Sequence, residues 1–446
     1  MGSASSSPMS SRWIFFLLGG LLVGMCFLLG ISLFLLFSWR TRNTASPPTS
    51  MPMMQNTPLL ETSEAITPTP SRKLTLPAAT PTPAVSWAPI TLENITSLQQ
   101  VQQLTVKGRV TRVQLSPTGK YILIGLNQET TESAWLELYH VPTGNRLLRV
   151  DGQPPAAFAP DEQRVAIGSR LWRLQGPDIQ EASTATTGEP QDLAFTPQGQ
   201  PVGLFAQGQG VFAIALDSGA QVYLEGSDAW SFYPFLLAPN AAYAVMDPFV
   251  PPYPEDPYQI WDTGSGVLLQ IWQVEGIMPF LTFSPQGNYL SIARCTDADA
   301  ELYCFASAIA LLYLPNIRSM NLEGHTAYIN AVAFSSNEQW LVSAASPYDG
   351  DQELYVWNLQ AGQGRLLFAS GDFPIDQVAI TSDGRLVMFL ATREGRLKFR
   401  SVPEGGDVFE LPQAVDGFAL NRDETLLVTW SLQQGDNSRI AFWSAR

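Results

Sequence analysis

The sequence predicts an all-β fold, an eight-bladed β-propeller, from three observations. A pair of apolar strands joined by a four-residue turn occurs eight times, about every 44 residues, from about residue 98 to the C-terminal end. A third apolar strand follows each pair, and a short fourth strand follows most of them. Four short antiparallel strands per repeat are typical of a propeller blade. One blade cannot bury both of its faces, so the repeats must stack around an axis.

The four-residue turns have the residues that a type I turn prefers. Ser116-Pro-Thr-Gly119 places serine first, proline second and glycine fourth, and Thr196-Pro-Gln-Gly199 and Ser284-Pro-Gln-Gly287 repeat this order. The eight copies of the strand–turn–strand unit begin at Val113, Ala156, Leu193, Phe235, Leu281, Val332, Val378 and Phe418.

The two ends of the repeat region predict how the ring closes. The last unit stops at Arg446, just after its third strand, and therefore has no outer strand of its own. A spare strand at residues 103–107 precedes the first unit and resembles the outer strand at residues 320–323. We therefore expect the N-terminal strand to complete the last blade. Seven blades is the alternative, if the second unit, whose outer strand near residues 179–183 is poor, is not a full blade.

The chain divides into four segments by composition. Residues 1–12 form a short tail, and residues 13–39 form an apolar block that we interpret as an uncleaved transmembrane signal anchor. Residues 40–95 are rich in Pro, Thr and Ser and predict a disordered stalk, and residues 96–446 form the propeller. Within this block, Trp13 to Phe37 are 25 uncharged residues, roughly 37 Å of helix, which is enough to cross a bilayer. A cleaved signal peptide is the alternative.

The expected localisation is the cell membrane, with a single span and an extracytoplasmic propeller. The Pro/Thr stalk, a pair of cysteines and the low lysine content favour export. Arg40 and Arg42 follow the span and only Arg12 precedes it, which slightly favours the opposite orientation. That margin is one residue, and the N-terminal amine adds to the other side.

One unit carries sequence landmarks that go beyond a generic blade. Gly324-His325, Val332-Ala-Phe-Ser335, Leu341-Val-Ser343 and Tyr355-Val-Trp-Asn358 stand in order in the sixth unit, and Ile260-Trp-Asp262 stands in the fourth. They resemble the WD-repeat propeller family over about residues 98–446. The resemblance implies an interaction scaffold, and it implies a buried hydrogen-bond network of His325, Ser343 and Trp357. His140 takes the place of the WD aspartate, and we expect it at the surface.

Composition disfavours several classes of function. A net charge of −15 with only four lysines gives no basic stripe for nucleic acid. Two histidines and three cysteines leave few residues for zinc sites, haem attachment or histidine-dependent acid–base catalysis. The motifs GxSxG, GxxxxGK and HExxH do not occur in the sequence. We therefore predict no enzyme activity, no catalytic residue and no cofactor.

The loop between the second and third strands of the fifth unit carries two further predictions. Cys295 and Cys304 bracket it, and we expect a disulfide, the alternative being two free buried thiols. Between them Asp297, Asp299 and Glu301 are spaced at every second residue, as in calcium loops. Solvated turn acids are the preferred interpretation of this spacing, and calcium is the weaker one.

One rim of the predicted ring is expected to bind a partner. The loops between second and third strands, together with those between blades, contain 22 of the 40 acidic residues, Glu353 among them. The negative electrostatic field of these acids attracts a basic protein or a cationic glycan. Two aromatic loops of the fourth unit meet on the same rim and predict a binding hot spot. Its residues are Trp230, Phe232, Tyr233, Phe249, Tyr253 and Tyr258. The alternative is that these rings pack on each other and only hold a long loop in place.

The sequence thus predicts a membrane-anchored, non-enzymatic scaffold or ligand-binding module with a protein or cationic partner. The alternative is a propeller enzyme, quinoprotein-like or a hydrolase, with a carboxylate-based site in the central channel. Inward carboxylates clustered with an arginine would favour the enzyme, whereas an apolar or narrow channel would favour the scaffold.

Overall fold

The structure, a computed structural model, describes residues 87–445 except 129–131, 187, 209, 228–233, 248–256, 275–276, 300–302, 348–351, 370–373, 403 and 434. These residues belong to one compact unit, Thr82–Arg446. The predicted tail and anchor, and all of the predicted stalk before residue 87, lie outside the described residues. In the described part of the chain no helix is long and apolar enough to span a membrane.

Eight four-stranded antiparallel sheets form the blades, in the predicted number. The first strand of the chain, β1 (Gln99–Lys107), belongs to the last blade. Blade 1 consists of β2 (Arg109–Leu115), β3 (Tyr121–Gln128), β4 (Ser133–His140) and β5 (Asn145–Asp151). Blade 2 consists of β6 (Ala156–Phe158), β7 (Arg164–Ile167), β8 (Arg170–Gln175) and β9 (Asp178–Ala182). Blade 3 consists of β10 (Asp192–Phe195), β11 (Pro201–Gln207), β12 (Gly210–Ala215) and β13 (Gln221–Tyr223). Blade 4 consists of β14 (Phe235–Leu237), β15 (Tyr243–Met246), β16 (Tyr258–Asp262) and β17 (Leu268–Trp272).

The other four blades have the same order. Blade 5 consists of β18 (Ile277–Phe283), β19 (Tyr289–Ala298), β20 (Cys304–Tyr313) and β21 (Arg318–His325). Blade 6 consists of β22 (Ile329–Phe334), β23 (Trp340–Ala345), β24 (Gln352–Asn358) and β25 (Gln363–Ala369). Blade 7 consists of β26 (Gln377–Ile380), β27 (Leu386–Ala391), β28 (Arg396–Ser401) and β29 (Asp407–Glu410). Blade 8 consists of β30 (Gly417–Leu420), β31 (Leu427–Gln433), β32 (Asn437–Ser444) and, as its outer strand, β1.

The ring closes in the predicted way. Strand β1 pairs antiparallel with β32, from Gln99 opposite Ser444 to Lys107 opposite Asn437. Blade 2 has a complete fourth strand, β9, so the seven-bladed alternative is wrong. The core confirms the closure, because eight apolar clusters each lie between two neighbouring blades, including one between blades 8 and 1.

The folded domain begins earlier than the sequence predicted. Ala88 pairs with Ala445, and the Ile90 amide donates to the Glu424 carbonyl at 2.7 Å. Ile90 and Ile95 are buried in the core cluster between blades 7 and 8. The predicted stalk boundary at residue 95 is therefore wrong at its end, because buried isoleucines fix residues 88–95 against the propeller.

The propeller has two rims. The turn rim holds the turns between first and second strands and the connections between third and fourth strands. The loop rim, on the opposite side, holds the hairpins between second and third strands and the connections between blades. The N-terminal segment contacts the turn rim, since it bonds to Glu424 and Glu93 pairs with Arg385.

The turns of neighbouring blades are tied to one another on the turn rim. Seven of the eight neighbouring pairs share a hydrogen bond that involves a side chain. The donors and acceptors are Thr118 and Glu162, Arg164 and Gly199, Asn240 and Gly287, Gln286 and Glu338, Asn337 and Ser382, Ser382 and Glu424, and Asn421 and Pro117. This rim is therefore part of the framework.

Three of these ties use a glutamate at the fourth turn position, where four of the other five turns have glycine and one has Ala241. Glu162, Glu338 and Glu424 stand at the fourth turn position with φ of 55°, 59° and 58°, in the left-handed region. That conformation costs a non-glycine residue about 1–2 kcal/mol. Each carboxylate offsets the cost by accepting at least two hydrogen bonds from the turn of the preceding blade.

Two substitutions of Glu424 separate the backbone strain from the hydrogen bonds of its carboxylate. We expect Glu424→Ala to lower the free energy of unfolding by about 2–3 kcal/mol, because it leaves the Ser382 amide unpaired and keeps the strain. Glu424→Gly loses the same bonds but relieves the backbone, so it should cost about 1 kcal/mol less. Chemical denaturation measures both variants, with Asp423→Ala, an exposed neighbour, as the control. Equal stability of all three variants and the native chain contradicts the interpretation.

Candidate functional site

The central channel is a cavity that the described residues line. Its volume is about 860 Å³, and the first strands of the blades form its wall. Turn-rim prolines, Pro117, Pro160, Pro239 and Pro285, line the channel near one end. Apolar side chains such as Phe158 line its wall, and polar side chains lie where the first strands begin. The channel is thus neither narrow nor wholly apolar.

Two charged side chains line this wall, Arg112 of β2 in blade 1 and Asp192 of β10 in blade 3. The Arg112 Nη2 donates to the Gln114 side chain at 3.0 Å and to the Ala156 carbonyl of blade 2 at 3.2 Å. The Asp192 carboxylate accepts from the Leu193 amide and from the Leu237 amide of blade 4, both at 2.8 Å. Both side chains therefore join neighbouring blades along the open edges of the inner strands.

The environment of the channel shifts the pKa of both Arg112 and Asp192. Burial lowers the pKa of the Arg112 guanidinium, and the nearby Asp192 carboxylate opposes this. Burial raises the pKa of Asp192, while the two amide donors and Arg112 lower it. Water still reaches Arg112, because the channel is open. Arg112 and Asp192 could not be paired from the sequence, because nothing in a single strand shows which residues face the axis of the ring.

The His325 network lies between blades 5 and 6. The histidine Nε2 is 2.7 Å from Ser343 Oγ, which accepts the Trp357 indole N–H at 2.9 Å. The histidine Nδ1 is 2.8 Å from Glu353 Oε2, and the carboxylate also accepts from Thr326. The tautomer that fits donates from Nδ1 to Glu353 and accepts from Ser343 at Nε2. The side chains of His325, Ser343, Glu353 and Trp357 are buried, and their hydrogen bonds hold blades 5 and 6 together.

Glu353 corrects the sequence interpretation, which placed it among the exposed acids of the binding rim. It is 4% exposed and completes the histidine network. Bonds from His325 and Thr326 lower its pKa despite burial, so it stays ionised. Burial lowers the pKa of His325, so the imidazole stays neutral.

The network predicts a pH dependence of stability. The unfolded histidine takes up a proton below its usual pKa of 6.5, whereas the folded one, with a lowered pKa, resists it. The unfolded state therefore binds more protons, and stability falls as pH drops below about 6.5. We expect His325→Gln to reduce the slope of unfolding free energy against pH between about 5 and 6.5. His140→Gln measures the separate contribution of the second histidine, whose pKa burial also lowers. An unchanged slope in the His325 variant contradicts the prediction.

His140 also departs from expectation. It is 6% exposed rather than at the surface, and its ring packs on Tyr121 at 5.4 Å. Its Nδ1 lies 2.9 Å from Thr143 Oγ1. Burial, and after it the charge of Lys120, lowers its pKa. A histidine at the end of a third strand is covered here because the next turn folds back over it.

The structure places a disulfide between Cys295 and Cys304, with Cα atoms 5.9 Å apart. The two residues are not direct cross-strand partners, because Cys295 lies opposite Ser307 and Cys304 opposite Ala298. Asp297 and Asp299 are exposed beside it, and Glu301 lies outside the described residues. No group of three or more His, Cys, Asp or Glu side chains among the described residues is arranged to hold a metal ion.

The predicted aromatic hot spot is largely outside the described residues. Trp230, Phe232, Tyr233, Phe249 and Tyr253 all fall there. Tyr258 is described, and the expectation that it is an exposed binding residue is wrong. It is 4% exposed in β16, where its ring packs on Trp272 in the core between blades 4 and 5.

Acidic side chains occur on both rims. The described connections of the loop rim contain nine acids, Glu132, Glu189, Glu225, Asp247, Asp299, Asp376, Glu394, Asp416 and Asp436, with Arg393 as their one basic residue. The described connections of the turn rim contain eight acids, Asp161, Glu162, Asp217, Glu338, Asp383, Glu404, Asp423 and Glu424, with Lys120, Arg385 and Arg422. The described acids are nearly equal in number on the two rims, so the predicted concentration of acids on the loop rim is not found among the described residues. The rims differ mainly in their basic residues and in the three turn-rim acids that bond between turns.

Comparison with known proteins agrees with this architecture. Residues 317–358 match the family "WD domain, G-beta repeat", which spans the outer strand of blade 5 and three strands of blade 6. The chain resembles the solved structure "Structure of Dos1 propeller" with 12% identity and a TM-score of 0.52, over 78% of this chain and 96% of that one. The family match and the fold together support a WD-repeat β-propeller.

A second solved structure is more distant. "Kuenenia stuttgartiensis Hydrazine Synthase" matches with 12% identity and a TM-score of 0.44, over 74% of this chain and 94% of that one. At that similarity it carries no argument about this chain. No curated protein matches the sequence.

Proposed function

We propose that the propeller is a non-enzymatic interaction module that binds a basic segment of a partner protein on its loop rim. The observation that carries the proposal is the difference between the rims. The turn rim is built into the framework by seven inter-blade ties and carries the N-terminal segment. The loop rim leaves an acidic surface with a single basic residue in its described connections. WD-repeat propellers commonly act as protein-interaction scaffolds, which fits this function.

The field of the loop rim explains the choice of a basic partner. Like charges on one face attract cations and repel acidic proteins, and they speed encounter more than they add affinity. Glu189, Glu225 and Asp436 are exposed and come from three different connections, so the field covers a wide arc of the rim.

Two charge variants with the same net charge test the proposal. The first variant, Glu189→Gln/Glu225→Gln/Asp436→Asn, removes three negative charges from the loop rim. The second variant, Asp161→Asn/Asp217→Asn/Asp423→Asn, removes three negative charges from the turn rim. The probe is a lysine decapeptide titrated into the full chain at low ionic strength. We expect the loop-rim variant to bind about tenfold more weakly, since three exposed charges contribute up to about 1 kcal/mol each, and the turn-rim variant to lose less than about twofold. Equal losses in the two variants contradict the proposal.

The membrane tether belongs to the same proposal. Residues 13–39 anchor the chain, and the propeller lies on the extracytoplasmic side, supported by the 25 uncharged residues and by the disulfide. Because residues 87–98 join the turn rim, the chain enters the propeller on the rim opposite the binding surface. Protease digestion of intact cells tests the orientation: cleavage of the propeller is expected, and protection contradicts it.

A small-ligand or catalytic site in the channel is the second candidate, and Arg112 with Asp192 favours it. Their bonds to neighbouring strands give both a structural role, which is why the scaffold ranks first. Arg112→Gln decides between the two by heat-induced unfolding. If the arginine ties blades 1 and 2, the melting temperature falls. If its charge is held for an anionic ligand, the melting temperature rises, since a desolvated cation is removed.

A further inference from the structure

The hairpin of blade 5 differs from the other hairpins of the loop rim. Its strands β19 and β20 have 10 residues each, more than any other strand in the described part of the chain. The register shifts twice near the tip, between Cys295 and Asp297 and between Asp297 and Ala298. Asp297 lies opposite Ala306 and Ala298 opposite Cys304, which leaves Phe305 as an extra residue with no cross-strand partner.

A bulge of this kind re-aims a side chain. An extra residue on one strand is left out of the ladder, and bulges often lie beside functional sites. Phe305 is 57% exposed, and Tyr303, two residues before it, is 52% exposed. The two register shifts leave Thr296 of β19 and Phe305 of β20 without a cross-strand partner, and the Phe305 ring is exposed.

The tip that carries these rings is held in place. The disulfide joins the two strands at Cys295 and Cys304. Beyond it, the Tyr303 amide donates to Asp299 Oδ1 at 2.9 Å, and the Asp299 amide donates to the Tyr303 carbonyl at 3.1 Å. Rings on a fixed tip lose little conformational entropy on binding, which is a property of hot-spot residues.

The described part of the hairpin tip beyond Arg294 is acidic. Asp297 and Asp299 are exposed on the same tip, and no basic residue occurs between residues 295 and 305 of the sequence. Aromatic faces attract cations, and arginine most often fills this role because its planar guanidinium stacks on the ring while it pairs with a carboxylate. The combination fits a cationic side chain rather than a purely apolar one.

We propose that the blade 5 hairpin tip is the docking element for an arginine-containing segment of the partner, with Phe305 and Tyr303 as the ring contacts and Asp297 as the ion-pair partner. The proposal rests on the loop rim being the binding face. It moves the centre of binding from blade 4, where the sequence placed it, to blade 5.

A titration of the full chain with an arginine decapeptide and a lysine decapeptide tests the tip. We expect Phe305→Ala to weaken binding of the arginine peptide about fivefold and to affect the lysine peptide less, because guanidinium stacking is lost. Tyr303→Ala should act in the same direction. The matched control is Leu432→Ala, another exposed apolar side chain, 48% exposed, on the blade 8 hairpin of the same rim. It should change binding less than about twofold.

The disulfide supplies an independent variant. Cys295→Ser/Cys304→Ser frees the tip without removing a ring or a charge, and it should weaken the arginine peptide about as much as Phe305→Ala does. Equal effects of Phe305→Ala and Leu432→Ala overturn the proposal while leaving the loop-rim function intact. Loss of binding only in the turn-rim charge variant overturns both. A fall in molecular mass of Phe305→Ala by light scattering assigns the tip to contact between copies of this chain and also overturns the proposal.

Discussion

Val106→Asp is expected to destabilise the propeller by about 3–5 kcal/mol, because it places an unpaired carboxylate between the last blade and the first. Val106 is 2% exposed in β1, within the cluster that joins blades 8 and 1. The residue before it, Thr105, is exposed on the same strand and serves as the control. Thr105→Asp should change stability by about 0.5 kcal/mol or less.

Chemical denaturation of the full chain measures both variants. A large loss for Val106→Asp and none for Thr105→Asp is what closure of the ring by β1 requires. Equal, small effects would mean that the N-terminal strand is not part of blade 8, and the account of closure would then be wrong.

Trp261→Ala is expected to cost about 3–5 kcal/mol, because it removes the largest fully buried side chain among the described residues. This is the tryptophan of the WD dipeptide. It packs on Phe235 at 5.6 Å between ring centroids, and its indole N–H donates to the Glu225 carbonyl at 2.8 Å, which joins blades 3 and 4. Trp261→Phe keeps most of the volume and loses the hydrogen bond, so it should cost less, about 1–2 kcal/mol.

The melting temperatures and denaturation midpoints of the two variants separate packing from hydrogen bonding. If Trp261→Phe is as harmful as Trp261→Ala, the hydrogen bond to Glu225 dominates the interface between these blades. Native stability in the alanine variant would contradict the burial of this side chain.

The repeat architecture could be predicted because it is written in local patterns. Six of the eight turns contain a proline or glycine, and each strand shows its own apolar run, so eight units and their order could be read without knowing any contact. Ring closure followed from a missing strand at one end and a spare strand at residues 103–107 at the other.

The exposure of individual polar residues could not be predicted in the same way. Glu353 and His140 were expected at the surface because charged and polar residues usually lie there. Whether a neighbour covers them depends on contacts across turns and blades, such as the bond from His325 to Glu353. The glutamates at the fourth turn position are a readable signal that was missed. A bulky residue where glycine is expected indicates that its side chain has a partner.

Register was the second limit of sequence reasoning. The hairpin of blade 5 could be drawn from its cysteines, but the position of its bulge depends on how two strands align over 10 residues. A shift of one residue turns every side chain to the other face. The sequence therefore gives no indication that Phe305 lies outside the strand pairing and is exposed.

Hydrogen exchange of the full chain, with and without the arginine decapeptide, tests the central claim most directly. The claim is that the loop rim, and the blade 5 hairpin within it, binds a basic segment. The account predicts slower exchange of backbone amides at residues 295–305 on addition of the peptide, with no change in the turns at residues 116–119 and 284–287. Slower exchange in those turns, with the hairpin unchanged, would contradict it.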